Sequence, residues 1–478
     1  MQKTIVAMLA LAFTLPAFAT RTVELPYEKI ARDFALAHDL KDAAPETIQY
    51  EDVLAKHFVK LELGAFDVRF PREQLATNAD RFKTCAQSLV AAQEEFLDWL
   101  GATAADKVLR EDLKTLNGWV KAWKPASLAR GKSGEETDVF KLVGANDAQI
   151  AASKHVYDAL AKGLALGPAR EKPLQPRLIL LPTRKLFTEF IYFTGWIKSD
   201  QRGIFWLDTV PDWTQCFVVE DQVMALEYGV PNRQPTDYTS GTSMDELLLQ
   251  QVAQLGMNSL FSAHYKERVP GAFIAGLSMN LVIDAYGAVQ TRIDGDTRSK
   301  VTGKRDVFVA GGASEGGFLA KNSAETKWRE NGGRDHFIPT LRAAQEDAVK
   351  IAKDVKNKIA VFAIRSDDGG DKWPAVAPFF DANADAPSPA AKFQGDFAEF
   401  IRAYKSAFIF WLQTKSQGTE KNSREKFAVL LKKLSDPNLA ADFEGVFGEV
   451  YDGAKLSGAG ADKESLEGKF LVWLSQQK

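Results

Sequence analysis

At 478 residues the chain is too long for one small core, and two or three packed units are expected. Apolar content of 45% and charged content of 26% are those of an ordinary globular protein. A formal net charge of −3 with no basic stripe argues against nucleic acid or an anionic membrane as partner.

In chain order, the first element is a targeting segment. Lys3 supplies a positive n-region, Ile5 to Leu15 a short apolar core, and Ala17-Phe18-Ala19 an A-x-A cleavage site before Thr20. Residues 1–19 are therefore expected to be a signal peptide, with the mature chain periplasmic or extracellular. The apolar run is too short for a membrane anchor. No Cys follows the cleavage site, so no lipid anchor is expected there. Cys85 and Cys216 are the chain's two cysteines; an export compartment permits one disulfide between them, and two buried free thiols are the alternative.

Residues 26–38 read as a helix. His57 to Phe70 alternates apolar and polar around a Gly, the pattern of a strand pair. Arg72 to Gly101 places Leu75, Ala79, Phe82, Leu89, Phe96 and Leu100 near a 3.6-residue period, with Gly101 as the stop. Further helix is predicted around 104–123 and 147–164. The pattern then changes. Arg177 to Pro182 (RLILLP) is a buried-strand pattern, and TRKLFTEFIYFTG is a helix capped by Thr183 and stopped by Gly195. GIFWLD, QCFVVE and QVMALEY read as three successive strands. Ser243 and Glu246 form a capping box that opens the next helix. Residues 285–318 are Gly-rich and mixed, and 366–395 are loop-like. Three helical stretches, GDFAEFIRAYKSAFIFWLQTK, SREKFAVLLKKL and KESLEGKFLVWLSQ, close the chain.

The helix after Ser243 carries LLLQQVAQLGMNSL, Leu247 to Leu260. Gln250, Gln254 and Asn258 fall on one face, with Gln251 beside them. Taken alone, the glutamines face solvent. The apolar residues around the rest of the helix argue instead for burial, in which case the amides must be bonded or line a cavity. The spacing of Gln250, Gln251 and Gln254 is that of the His, Glu and His in the H-E-x-x-H helix of zinc peptidases. The following segment, VPGAFIAGLSMNLV, resembles the P-x-W-L-x-E-G-L-A stretch from which gluzincins take their third ligand. Pro270 is present, and Phe273-Ile274 stand where the aromatic–aliphatic pair stands. Ala275-Gly276-Leu277-Ser278 occupy the place of E-G-L-A. The strand and helix before this pair and the C-terminal helices, including DFEGVFGEV, also resemble gluzincin-like secreted bacterial peptidases.

The resemblance implies a zincin-like fold. It equally implies that its chemistry is gone: the two His positions are Gln250 and Gln254, the general base is Gln251, and the third ligand is Ala275. An amide is a poor zinc ligand and cannot take a proton from water near neutral pH. No metal, no cofactor and no catalytic residue are expected. A peptide or protein bound in the vestigial cleft is the partner the reading suggests, since neutral amides can bond peptide backbone.

Other candidate chemistry is weaker. His38, His57, His155, His264 and His336 show no metal-ligand spacing, and His264 reads as a surface or capping residue. Gly312-Ala313-Ser314-Glu315-Gly316 is a formal G-x-S-x-G, so a serine hydrolase using Ser314 with His336 is one alternative function. A Gly-rich loop is the plainer reading, and the stretch lacks the G-K-[ST] of a P-loop. RIDGDTRSK and RSDDGGDK are solvated turns rather than EF-hand loops. Trp196, Phe205, Trp206, Trp213 and Phe217 read as core.

The expected fold class is α+β. An α-rich N-terminal region, 20–170, precedes a gluzincin-like domain, 171–478, with a small mixed sheet and an insertion around 285–395. The expected role is that of an exported, non-catalytic pseudopeptidase. The alternatives are the Ser314 hydrolase and a plain secreted structural protein whose glutamine face is exposed.

Overall fold

A computed structural model describes residues 50–130, 136–182, 186, 190, 197–199, 205–207, 214–218, 244–265, 269, 271–287, 337–339, 341–342, 396–436, 443–456 and 464–477. The expected signal peptide, the expected helix over 26–38, QVMALEY, the G-x-S-x-G stretch and the two Asp-rich stretches lie outside these residues, as does most of TRKLFTEFIYFTG. The fold is α+β, mostly helical, with a small mixed sheet.

Helix α1 (Tyr50–His57) leads into strand β1 (Phe58–Leu63), which turns back as β2 (Phe66–Pro71). The alternating pattern around a Gly becomes an antiparallel hairpin with Leu63 opposite Phe66. The two-residue loop needs a positive φ at its first position, which Gly64 supplies at +55°. The loop is buried, so its backbone donors need partners. Gly64 N–H donates to Ser153 Oγ (2.9 Å), and Ala65 N–H to Gln93 Oε1 (2.7 Å).

After a 3₁₀ turn at Arg72–Gln74 comes α2 (Leu75–Trp99), kinked at Asn78. It ends through Gly101, whose φ of +69° closes the helix as the sequence predicts. Four short or medium helices follow: α3 (Ala102–Ala105), α4 (Lys107–Lys121), α5 (Pro125–Ala129) and α6 (Val139–Leu142). Then comes α7 (Asp147–Leu160). Asp106 caps α4, and a reciprocal Asn146–Gln149 capping box opens α7.

Strand β3 (Arg177–Leu181) joins β2 in parallel, and a later strand, β6 (Thr214–Val218), joins β3 in parallel. The sheet order is β1-β2-β3-β6. Segment GIFWLD contains β5 (Phe205–Leu207), but it pairs with β4 (Ile197–Ser199) in a separate two-stranded ribbon. The sheet is tied across its strands by Asp67. Its carboxylate accepts from Arg69 (Nε, 2.7 Å) and from Arg177 of β3 (Nε, 2.8 Å). Burial alone would raise the Asp67 pKa. The two guanidiniums outweigh it and hold the group below its ordinary value.

The second half supplies α8 (Met244–Tyr265), α9 (Gly271–Tyr286), α10 (Asp396–Thr414), α11 (Glu420–Leu434), α12 (Phe443–Val450) and α13 (Leu466–Ser475). Helix α8 packs on α2 and α9, α9 on α10, and α10 on α11. Edge-to-face rings mark several seams: Phe96–Phe261 between α2 and α8 (4.8 Å), Phe273–Phe443 between α9 and α12 (5.3 Å), and Tyr404–Phe470 between α10 and α13 (5.2 Å). The expected boundary at residue 170 falls between β2 and β3, which are sheet neighbours. One hydrophobic core takes side chains from Val59 through Leu474.

Two glycines let the helices approach. A Cβ at Gly256 of α8 would lie 2.7 Å from Leu89 Cδ2 on α2, and one at Gly276 of α9 would lie 3.0 Å from the Lys405 carbonyl on α10. Gly256→Ala is expected to destabilise by about 1–3 kcal/mol through overpacking, reduced by up to about 1 kcal/mol of helix propensity. Urea denaturation checks this. In a Leu89→Ala background the same change should cost far less, and an equal cost in both backgrounds would place the strain elsewhere.

Candidate functional site

The glutamine helix is α8, and its polar stripe is inside the protein. Gln250, Gln251 and Gln254 are 4%, 8% and 0% exposed, and the stripe continues through buried Asn258, Ser259 and Ser262. The solvent-facing alternative is therefore overturned. The cause is the company α8 keeps. It lies between α2 and α9 and reaches β6, while Gly256 lets it sink against Leu89, Leu178 and Phe66. Ser88 of α2 donates its hydroxyl to the Leu249 carbonyl, so the two helices are joined by polar as well as apolar contact.

Ala275 sits on the neighbouring helix α9 and is fully buried. The four positions singled out in the sequence thus belong to two helices packed directly against each other. Their chemistry does not fit zinc. Three neutral amides and a methyl group offer no imidazole, thiolate or carboxylate. Among the described residues no group of three or more His, Cys, Asp or Glu could hold a metal ion.

His264 is not the surface residue expected. It is buried at the end of α8, with Nε2 2.9 Å from the carbonyl of Leu160 at the end of α7. As the neutral tautomer it donates that N–H, which leaves Nδ1 buried without a hydrogen-bond partner. Burial first, then the positive charge of Arg170, pulls its pKa down to about 3, against the opposing bond to Leu160. Cys85 is a free, fully buried thiol inside α2, so the permitted disulfide is not formed, and burial pushes its pKa well up. Ser314 and His336 of the hydrolase alternative lie outside the described residues.

A second polar cluster was not singled out in the sequence. Asp284 accepts from the Trp99 indole N–H of α2 (2.9 Å) and from Gln413 Nε2 of α10 (3.3 Å). Gln413 Oε1 in turn accepts from Asn280 Nδ2 (2.8 Å). Glu95 stands one helical turn before Trp99 and so shares its face. Burial, then the charges of Asp284 and Asp98, push the Glu95 carboxyl up to about 7; Arg424 and the Trp99 indole act the other way. One signal was available in the sequence: Asp284 is the lone charged residue in the sixteen residues of α9. A single acid in an apolar helix must find polar company.

Comparison with known proteins adds nothing to this geometry: no family model, curated protein or solved structure matches the chain.

The buried His264 makes a prediction about acid stability. Its folded pKa lies below the unfolded value of about 6.5. The unfolded chain therefore binds more protons as pH falls from about 6.5 towards 3, and stability is lost across that window. His264→Gln keeps an N–H donor for Leu160 and removes the titration. Between pH 7 and pH 4 it should lose roughly 2–3 kcal/mol less stability than the parent chain. Parallel pH profiles in denaturation experiments would count against this origin.

Proposed function

We propose that the chain is an exported pseudopeptidase of gluzincin-like type, in which the zinc site has been replaced by a neutral polar core and the role is binding or structural. The observation that carries this reading is the joint state of Gln250, Gln251, Gln254 and Ala275. They occupy two mutually packed helices and are all buried, and none can serve as zinc ligand or base in the way the resemblance requires. Enclosed amides also favour this reading over a plain structural protein with an exposed glutamine face. An amide stripe is compatible with the core because it carries no charge and bonds as both donor and acceptor. Three ionisable groups in the same place without a metal would meet heavy desolvation.

Peptide or protein is the partner class this reading favours, through backbone groups that amides match. The N-terminal Lys3–Ala19 pattern supports export. Among the described residues no helix is long and apolar enough to cross a membrane.

Metal analysis of the purified chain, paired with a zinc thermal-shift titration, tests the proposal. A ligand that binds the native state raises its stability by mass action. The expected result is no stoichiometric metal, no zinc-dependent rise in Tm, and no zinc-dependent cleavage of unstructured peptide substrates. One tightly held zinc per chain would overturn the reading, because ligands other than the four positions would then have to assemble a site.

A further inference from the structure

The loop after α7 and the end of α11 meet in a surface pocket of about 230 Å³. Loop residues between Gly163 and Arg170 form one wall, and residues between Val429 and Asp436 form the other. Both walls are held by their own bonds. Gly163 takes a φ of +78°, and its carbonyl accepts from the Leu166 and Gly167 N–H groups, both at 2.9 Å. The Arg170 guanidinium donates to the Ser435 carbonyl just beyond α11 (2.5 Å). The Ser435 hydroxyl lies between the carbonyls of Lys432 (2.8 Å) and Leu166 (3.4 Å). The walls are thus joined to each other before anything binds, so little ordering cost falls on a ligand.

The pocket surface has an apolar and a basic part. Leu166, Pro168 and Val429 supply the apolar part. Among the described residues four large apolar side chains are exposed: Val108, Ile150, Leu164 and Val429. Scattered singly, such residues need no explanation. Here Val429, 46% exposed, lines the pocket, and Leu164, 55% exposed, directly follows the lining residue Gly163. Arg170, Lys432 and Lys433 bring three positive charges against the single acid Asp436. Lys433 is paired with Glu449 of α12, and Arg170 serves the end of α11. Lys432 is exposed, and its ammonium has no partner among the described residues.

We propose that this pocket is a binding site for a small aliphatic carboxylate, the chemistry shared by the terminal residue of a peptide chain and by a free short branched acid. The aliphatic group packs between Leu166, Pro168 and Val429. The carboxylate lies against the ammonium of Lys432, within the field of Arg170 and Lys433. At about 230 Å³ the pocket is smaller than the roughly 300–1,000 Å³ that enclose whole drug-sized ligands, so it takes one side chain with its carboxylate and excludes a nucleotide or a sugar chain. Capture of a chain-terminal carboxylate is a recurring mode of peptide recognition. The pocket includes none of Gln250, Gln251, Gln254 and Ala275, so the inference goes beyond the pseudopeptidase reading and stands or falls separately from it.

Calorimetric titration of the full chain with two acids and their amides tests this. The acids are 3-methylbutanoate and an N-acetylated tetrapeptide ending in valine; the amides are the same molecules with the carboxylate blocked. At least one acid should bind, and its amide should bind on the order of tenfold more weakly. Tighter binding of the tetrapeptide acid identifies a chain end as the ligand, and equal or tighter binding of 3-methylbutanoate identifies a free acid. Lys432→Gln should weaken the acid roughly fivefold and leave the amide unchanged. The Val429 methyl resonances, assigned with Val429→Ala, should shift on addition of the acid. Both side chains are exposed, so both variants are expected to fold. Binding by neither acid would overturn the proposal, as would equal affinity for acid and amide. Unchanged acid affinity in Lys432→Gln, or Val429 resonances that do not move, would also overturn it, because the ligand would then sit elsewhere.

Discussion

A helix buried around its whole circumference sets the terms for the rest of this structure. Helix α8 carries an amide and hydroxyl stripe through the centre of the protein, and every polar group placed there must be accommodated by what surrounds it. Helix α2 provides Ser88 for a backbone carbonyl of α8 and Leu89 against its glycine, while α7 provides a carbonyl for His264. The sheet supplies Phe66 and Leu178 from below. Close approach at Gly256 makes these contacts possible at once, so one missing side chain fixes the distances of its neighbours.

The same economy of polar partners recurs at the β1–β2 turn. A buried two-residue loop has two backbone donors facing the protein interior, and Gln93 and Ser153 come from two separate helices to accept from them. Each also bonds a neighbouring backbone carbonyl: Ser153 donates to Glu62 at 2.7 Å and Gln93 to Leu89 at 2.9 Å. The turn is thereby a joint between hairpin, α2 and α7.

Much of the helical framework was legible in the sequence because it rests on local signals. Apolar spacing marked α2, Gly101 marked its end, and the C-terminal stretches gave α10, α11 and α13 within a few residues. The hairpin was equally local. Sheet order was not, because β2 and β3 meet across 110 residues and no pairing signal survives that separation. The ribbon of β4 and β5 was missed in part because three-residue strands carry almost no alternation. His264 was misplaced for a similar reason: its burial depends on Leu160, 104 residues earlier. The positions of Gln250, Gln251, Gln254 and Ala275 could be named from spacing, but their enclosure came only from α2 and α9.

The parallel pairing of β2 with β3 has a consequence for how the chain reaches this state. Between the two strands lies the whole helical block from α2 to α7, and closing so long a loop costs conformational entropy before any strand contact repays it. Contacts inside that block are short in sequence, as are those of the hairpin. The order of assembly that follows is hairpin and helices first, with β3 and then β6 added to an edge already in place. A chain interrupted before Arg177 would hold most of its early structure and leave β2 as an open strand edge. That partial product, more than the finished protein, is the species exposed to strand pairing with another molecule.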